Sequence, residues 1–451
     1  MNSSIQNIAK AFAAASFGQI VNILSQILLV TFFLKSWGTQ LYGEWLILSA
    51  MPSIIAMAGD LGFGTVAANE MSSCLARQDK VNALRVFENT WVIISCCSCV
   101  FVVIAIVVLD ILPVASLLNI SLLSERASVL IITLLLFRII VGQQNSLLTA
   151  GLRCEGNYAL GMFLNNTSKL LESVSVGIAI FLFEMKPISV AIIYFAISMM
   201  TWIVLRIVLN KKSPWIKYSF QNLSIGLIKQ LLPTAMSYLS FPVINAISIQ
   251  GVVTVIGVLL GPTAVVIFST TRTFMNTLKQ AVNIINLSVW AELTTAYAKN
   301  NYGKARKIFI TSNRVVLSVV AVFNIFVFTL GKSLYEYWTK SEVDTSDFFF
   351  YFFSLVISIN AIWSANSIVQ VATNKARKMA ILNMFSAFLL ISPIIIFQKF
   401  MSLDAVLIVM LVSELFMFIM VSKDSLSILK LDTLSFYTGF LKTKSYQNSN
   451  S

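Results

Sequence analysis

Twelve separate stretches of this sequence are apolar for long enough to cross about 30 Å of hydrocarbon. They fall at 11–34, 41–62, 86–111, 128–150, 157–183, 188–209, 231–258, 263–291, 308–331, 347–372, 379–398 and 402–421. Inside a bilayer no water satisfies backbone N–H and C=O groups, so each stretch must close its own hydrogen bonds as a helix. The fold expected is an all-α polytopic membrane protein with twelve transmembrane helices. Composition agrees, since only 11% of the residues are charged against about 25% in soluble domains. The first stretch runs on without a cleavage pattern, so it reads as a spanning helix rather than a signal peptide.

The loops set the orientation. With the N-terminus inside, the inner segments carry Lys10; Arg77, Lys80 and Arg85; Arg153; Arg206, Lys211, Lys212, Lys217 and Lys229; Lys299, Lys304, Arg306 and Lys307; Lys375, Arg377 and Lys378; and Lys423, Lys430, Lys442 and Lys444. The outer loops hold only Lys35, Arg126, Lys186, Lys332, Lys340 and Lys399. That asymmetry places both termini in the cytoplasm. It also accounts for the net charge of +13 without nucleic acid as a partner. The longest inner loop, 210–230, divides the chain into six and six helices. The expected division is an N-terminal bundle over 1–209, a cytoplasmic linker over 210–230, a C-terminal bundle over 231–421 and a cytoplasmic tail over 422–451.

The halves echo one another. Ser36-Trp-Gly38-Thr resembles Leu260-Gly261-Pro-Thr, which matches Gly38 to Gly261. Lys80-Val-Asn-Ala83-Leu-Arg85 resembles Gly303-Lys-Ala305-Arg-Lys307, which matches Ala83 to Ala305. Ala159-Leu-Gly-Met-Phe resembles Ala380-Ile-Leu-Asn-Met-Phe, which matches Ala159 to Ala380. The offset is nearly the same in all three places. An offset of an even number of helices means a parallel repeat. Transporters built from repeats bind at the interface between them.

The eighth stretch carries the chemistry. Arg272, Asn276, Lys279, Asn283 and Asn286 follow one another at spacings of 4, 3, 4 and 3. At about 100° per residue they share one face of a helix. Val265, Val266, Ile267, Phe274, Leu278, Val282 and Ile285 occupy the others. Two cations and three amides on one stripe of a membrane helix must face water, a partner or a substrate. No acid lies on that stripe, and an anionic ligand would relieve the repulsion between Arg272 and Lys279.

Other polar groups are candidates beside it. Gln19, Asn22 and Gln26 form a polar stripe on the first helix, and Ser237, Ser240, Asn245 and Ser248 mark the seventh. On the second helix Glu44 lies near the outer end and Asp60 sits in Gly59-Asp60-Leu-Gly62-Phe-Gly64, where glycines allow the helix to fray. Arg138 is at mid-depth of the fourth helix, on the side of Gly142, Asn145 and Thr149; it either binds substrate or pairs with a buried carboxylate. Lys169 and Glu172, at i and i+3, are expected to neutralise each other. Arg314 and Glu292 can snorkel to the boundary, Glu414 deep in the last helix is peripheral in a six-plus-six bundle and is either structurally paired or functional, and Glu70 and Glu88 are expected to be wet. With no histidine, a proton relay must use carboxylates, and His-based metal sites are excluded. The five cysteines show no disulfide or metal spacing. The tryptophans Trp37, Trp45, Trp202, Trp215 and Trp338 lie near span ends, as an interfacial belt does.

The segment from Leu41-Tyr42-Gly43-Glu44-Trp45 to Asp60-Leu61-Gly62-Phe63-Gly64 resembles the Wzx-type O-antigen flippases, in the polysaccharide-transport branch of the multidrug and oligosaccharidyl-lipid exporter superfamily. Chain length, helix count, charge layout and the six-plus-six division match as well. The resemblance implies a MATE-like, V-shaped pair of bundles that alternates between inward-open and outward-open states in the bacterial inner membrane. It implies an undecaprenyl-diphosphate-linked oligosaccharide as the substrate, flipped to the periplasmic leaflet for lipopolysaccharide biosynthesis. Bilayer lipid, a polysaccharide polymerase and a chain-length regulator would be its partners. It further implies a cationic cavity lined by helices 1, 2, 7 and 8, which Arg272 and Lys279 match; Asn276, Asn283, Arg138, Gln19, Asn22 and Gln26 are the further candidates for substrate binding from their own positions. Relatives of the lipid II flippase type carry an arginine in the first helix, and this helix 1 has none.

The residues support that reading independently. A diphosphate suits the planar donor fork of arginine, and amides suit sugar hydroxyls. No Gly-Lys-Ser/Thr phosphate loop is present, so no cofactor is expected and energy would come from an H⁺ or Na⁺ gradient, with Asp60 and Glu44 as carriers, or from consumption of the product. A drug or cation antiporter of the same fold would want an acidic or aromatic cavity. A membrane polymerase or ligase would need a large outer loop with catalytic arginines or a histidine. A passive scaffold leaves Arg272 and Lys279 unexplained.

Overall fold

The computed structural model describes residues 2–60, 62–373 and 376–431, except for the side chains of 2–9, 11–12, 55–60, 76, 237–247, 287, 291, 298 and 376–377. Every regular element among them is helical: α1 (Asn2–Asp60), α2 (Phe63–Ala76), α3 (Lys80–Ile111), α4 (Val114–Leu117), α5 (Glu125–Cys154), α6 (Tyr158–Phe183), α7 (Pro187–Lys212), α8 (Ile225–Ala246), α9 (Val252–Leu260), α10 (Pro262–Ala298), α11 (Tyr302–Phe326), α12 (Lys332–Thr339), α13 (Asp347–Asn366), α14 (Ile368–Ala372), α15 (Ala376–Ile396) and α16 (Leu403–Ile428). Nine stretches among the described residues are long and apolar enough to span a membrane. One of them, Ala13–Ile54, holds the first two expected spans, folded at Gly38. The seventh span is α8 and α9 joined by a π turn over Ile247–Gly251, and the eighth is α10.

Helix ends differ from the apolar boundaries. α7 runs to Lys212, α10 to Ala298 and α16 to Ile428, well past the last apolar residues of the pattern. Hydropathy marks where hydrocarbon stops, whereas a helix continues into water until a cap or a break ends it. The second span breaks at Gly62 (φ 76°), inside the glycine-rich segment expected to fray. The inner loop between the sixth and seventh spans shortens to 213–224, and it is pinned. Asn89 Nδ2 donates to the Asn222 carbonyl at 2.9 Å, its Oδ1 accepts from the Ser224 amide at 2.8 Å, and Trp215 Nε1 donates to Glu155 at 2.5 Å. Tyr218 adds a ring contact to Trp91 (4.7 Å between centroids).

The parallel repeat is written into the backbone. Gly38 (φ 67°, ψ 179°) and Gly261 (φ 85°, ψ 174°) fold their two span pairs through the same conformation, one that only glycine adopts without strain. The inner turn before α3 has Gln78 at φ 62° and an Asp79 cap accepting from the Asn82 amide at 3.0 Å. At the matching place before α11, Asn300 has φ 54° and Asn301 caps the Lys304 amide at 2.9 Å. The outer turns repeat as well. Asn119 (φ 59°) and the Ser124 cap of α5 correspond to Ser341 (φ 57°) and the Ser346 cap of α13. In each pair a side-chain oxygen takes an amide that the first helical turn leaves unpaired. Ala83 and Phe87, buried in the turns after the Asp79 cap, recur as buried Ala305 and Phe309 after the Asn301 cap.

Contacts group the chain into Met1–Val266 and Ile267–Ser451. In the first unit, α1 packs on α3, α5 and α6, α5 packs on α7, and α8 and α9 lie against α1. A core of Phe63, Met71, Phe87, Leu148, Leu205 and Leu209 fills the end at which α2 meets α3. In the second unit, α13 packs on α11 and α16, and α15 packs on α16. Phe268, Phe350, Phe353 and Tyr335 are buried there.

Candidate functional site

In the second unit, α10 presents the stripe as its spacing requires. Phe268, Met275, Leu278 and Val282 are buried, whereas Arg272, Asn276 and Lys279 are half-buried and Asn283 is exposed. The Arg272 guanidinium lies over the Phe268 ring, 5.3 Å from its centroid. The side chains of Asn276 and Asn283 make no hydrogen bond to a described residue. Asn286 donates to the Ser364 carbonyl at 3.5 Å. The helix is held in place behind this stripe by Thr270 and Thr271, whose hydroxyls meet Tyr335 Oη at 2.7 and 3.2 Å.

Lys279 feels the charges of both Arg272 and Glu414, and Glu414 takes the structural pairing weighed for it. Asn360 Nδ2 donates to its two oxygens at 3.0 and 2.9 Å, and Trp363 Nε1 donates to Oε2 at 2.5 Å. Three hydrogen bonds from two side chains of α13 thus fix the carboxylate. Periodicity places a residue on a face of its own helix, but it does not name the helix opposite. That is why the link between Glu414 and Lys279, far apart along the chain, escapes a reading of the sequence.

In the first unit, Arg138 takes the second of its two expected roles. Its Nη2 lies 2.7 Å from Glu172 Oε2, and its guanidinium stacks over Tyr194 at 4.8 Å. Ser198 Oγ donates to Glu172 at 3.4 Å. Glu172 is 7% exposed, and a buried carboxylate without a partner would be costly. The neutralisation expected between Lys169 and Glu172 is therefore replaced by Arg138–Glu172. Lys169 instead hydrogen-bonds Asn22 across α1 and α6, next to Ser173–Ser25 at 2.6 Å. Of the polar stripe on the first helix, Asn22 is committed to this seam, while Gln19 and Gln26 are exposed.

Glu44 is a clamp rather than an ion carrier. It is wholly buried and accepts the amides of Ser121, Leu122 and Leu123 at 2.8, 2.7 and 3.0 Å, plus the Ser121 hydroxyl at 3.1 Å. An ion carrier must exchange with water, and this carboxylate is saturated by the loop before α5. Glu44→Ala is expected to cost about 3 kcal/mol, because it strands buried amides that bonded to a charge. Glu44→Gln, which keeps one acceptor, should cost less. Thermal melting of the purified variants checks this, and an unchanged midpoint for alanine would refute the clamp. Asp60, the other expected carrier, ends α1, and its side chain lies outside the described residues, as do those of Ser237, Ser240 and Asn245. Glu88, expected to be wet, is 1% exposed, and its Oε2 has no partner among the described residues.

No protein-family model matches the sequence, and no curated protein matches it either. Solved structures do match in fold. An inward-facing multidrug resistance MATE family transporter of the MOP superfamily superposes with a TM-score of 0.74 at 14% identity, covering 96% of this chain and all of the other. An outward-facing MATE family transporter of the same superfamily gives 0.60 at 15% identity, with 94% and 95% coverage. A MOP superfamily transporter from Pyrococcus furiosus, described as having a binding pocket of reverse polarity, gives 0.58 at 15% identity, with 96% of each chain covered. The fold is that of these transporters: an all-α, multi-pass membrane protein built from a parallel repeat.

Proposed function

We propose that this protein is a flippase for a lipid-linked oligosaccharide. It would carry an undecaprenyl-diphosphate-linked repeat unit of a surface polysaccharide from the cytoplasmic to the periplasmic leaflet. The observation that carries the reading is the α10 stripe: Arg272 and Lys279 with the amides of Asn276 and Asn283, which bond to no described residue, on a helix whose opposite side buries Phe268, Met275, Leu278 and Val282. A diphosphate is the anion such a pair of cations suits, and the arginine fork can grip two of its oxygens. The amides suit sugar hydroxyls, and the lipid can remain in the bilayer. No covalent step is required of the protein.

The rival is a multidrug or cation antiporter; the MATE neighbours are described as multidrug resistance transporters. Glu414 is the observation in its favour, since a carboxylate attracts cations. Here, however, that carboxylate is engaged by Asn360 and Trp363, and two cations accompany it. The reverse-polarity neighbour from Pyrococcus furiosus supports the idea that one fold serves substrates of either charge. An H⁺ or Na⁺ gradient could drive the cycle; with Glu44 engaged as a clamp, Asp60 is the carrier that we retain.

The test is where lipid-linked repeat units collect in cells lacking the gene. The expected result is single undecaprenyl-linked units on the cytoplasmic leaflet and loss of long-chain polysaccharide. Single units that reach the periplasmic face but stay unpolymerised would instead make the protein part of the polymerisation machinery. Undisturbed polysaccharide with drug sensitivity would favour the antiporter.

A further inference from the structure

A cavity of about 380 Å³ opens in the first unit between α2, α5 and α6. That volume lies within the range of small-molecule sites, roughly 300–1,000 Å³. Thr65, Ser146 and Arg153, all exposed, and half-buried Asn165 give it a polar lining. The hydroxyls of Thr65 and Ser146 make no hydrogen bond to a described residue. Asn165 spends its amide hydrogens on Thr149 Oγ1 (2.9 Å) and the Gly161 carbonyl (3.0 Å), which leaves its Oδ1 as an unused acceptor. Arg153 has no carboxylate partner among the described residues and lies over the Tyr158 ring at 5.4 Å. On α5 a Cβ at Gly142 would meet nothing within 4 Å, so the glycine holds space open.

We infer that this cavity is a second binding site, for a glycosyl phosphate group. Arg153 would take the phosphate, and Thr65, Ser146 and Asn165 would take the sugar hydroxyls. The donor set argues for that class. A guanidinium paired with no acid among the described residues selects an anion. Two hydroxyls and one amide oxygen supply both donors and acceptors, as ring hydroxyls require. Burial against these polar groups would gain little for an apolar guest. The site deepens the flippase reading and rests on it for its biological sense, since the head group of such a lipid is a glycosyl phosphate. It uses none of the residues on α10. Arg153 precedes the α5–α6 turn, which the charge asymmetry places on the cytoplasmic side, where a substrate would arrive.

Gly142→Phe would put bulk into the cavity from a position where an added Cβ meets nothing within 4 Å, and Arg153→Gln would remove the cation at an exposed position. The purified full-length protein in lipid nanodiscs is titrated with the 1-phosphates of glucose, galactose and N-acetylglucosamine, and separately with farnesyl diphosphate. At least one sugar phosphate should bind, and its affinity should fall about tenfold or more in both variants, a loss of about 1.4 kcal/mol. Failure of all three to bind, or equal binding by Gly142→Phe, overturns the site. Farnesyl diphosphate judges the flippase reading separately, through loss of its binding in Arg272→Ala. Sugar phosphates bound through Gly142 and Arg153 with no diphosphate binding would keep this site and remove that reading. The opposite pattern would do the reverse.

Discussion

Arg272→Ala is expected, on the flippase proposal, to abolish export of a lipid-linked oligosaccharide while the protein still inserts and folds. The guanidinium stands half-buried on α10 over Phe268, beside Lys279 and one turn from an uncommitted Asn276. A diphosphate gripped by the arginine fork gains hydrogen bonds between charged partners, each contributing about 1.5–3 kcal/mol. Loss of two such bonds is about 3 kcal/mol at the low end, or roughly a hundredfold in affinity. Lysine keeps the charge but loses the planar fork, so Arg272→Lys should retain part of the activity, about tenfold down. Lys279→Ala should fall between them, because removing it leaves Glu414 facing a stripe with one cation fewer. The measurement is surface polysaccharide in cells expressing each variant at native level, with melting curves of the purified proteins to separate folding from function. Full export by the alanine variant would remove the cationic stripe from the mechanism.

Much of the frame is legible in the sequence, and for local reasons. Hydropathy finds spans because a bilayer leaves a helix no alternative. The echo of Gly38 in Gly261 is visible as letters, and the backbone explains it: both positions need a conformation closed to other residues. The caps at Asp79 and Asn301 are likewise local, one side chain serving the first turn of its own helix. Partners across helices are not legible. Glu172 is a near neighbour of Lys169 in sequence, yet pairs with Arg138 from another helix. Glu44 looks like an ion carrier because an acid in a span is costly, but its three amide donors come from a distant loop, at Ser121, Leu122 and Leu123. Arg153 counts as a loop cation in the sequence, and only the packing of α2, α5 and α6 shows the cavity beneath it. The chemistry of each residue can be read, whereas the identity of its neighbour depends on how helices pack.

Gly43→Ala should disturb the protein more than its size suggests. In a free helix the change would stabilise by about 0.5–1 kcal/mol, since alanine favours helix. Here an added Cβ would stand 2.2 Å from the carbonyl oxygen of Pro262, 2.5 Å from its carbonyl carbon and 2.8 Å from its Cβ. The first two are backbone atoms at the start of α10, and backbone cannot rotate aside as a side chain does. The α1 segment and the start of α10 must therefore separate, and overpacking of this kind costs about 1–3 kcal/mol. Little polar bonding would resist: Thr263 Oγ1 to Gln40 Oε1 is 3.3 Å, and Asn119 Nδ2 to the Val258 carbonyl is 3.2 Å. A contact made by close glycine packing and two long hydrogen bonds can open and reclose, as the proposed transport cycle would require. Gly226→Ala is the control. Its Cβ would meet only Ser224 Oγ, at 3.6 Å, at an exposed position of α8, so it should be tolerated. Gly43→Ala should lower the melting midpoint by several degrees and speed the labelling of a cysteine placed at half-exposed Gln40 by a membrane-impermeant thiol reagent, while Gly226→Ala should do neither. Equal effects from the two substitutions, or unchanged labelling in Gly43→Ala, would mean that the approach of Gly43 to Pro262 does not hold these segments together.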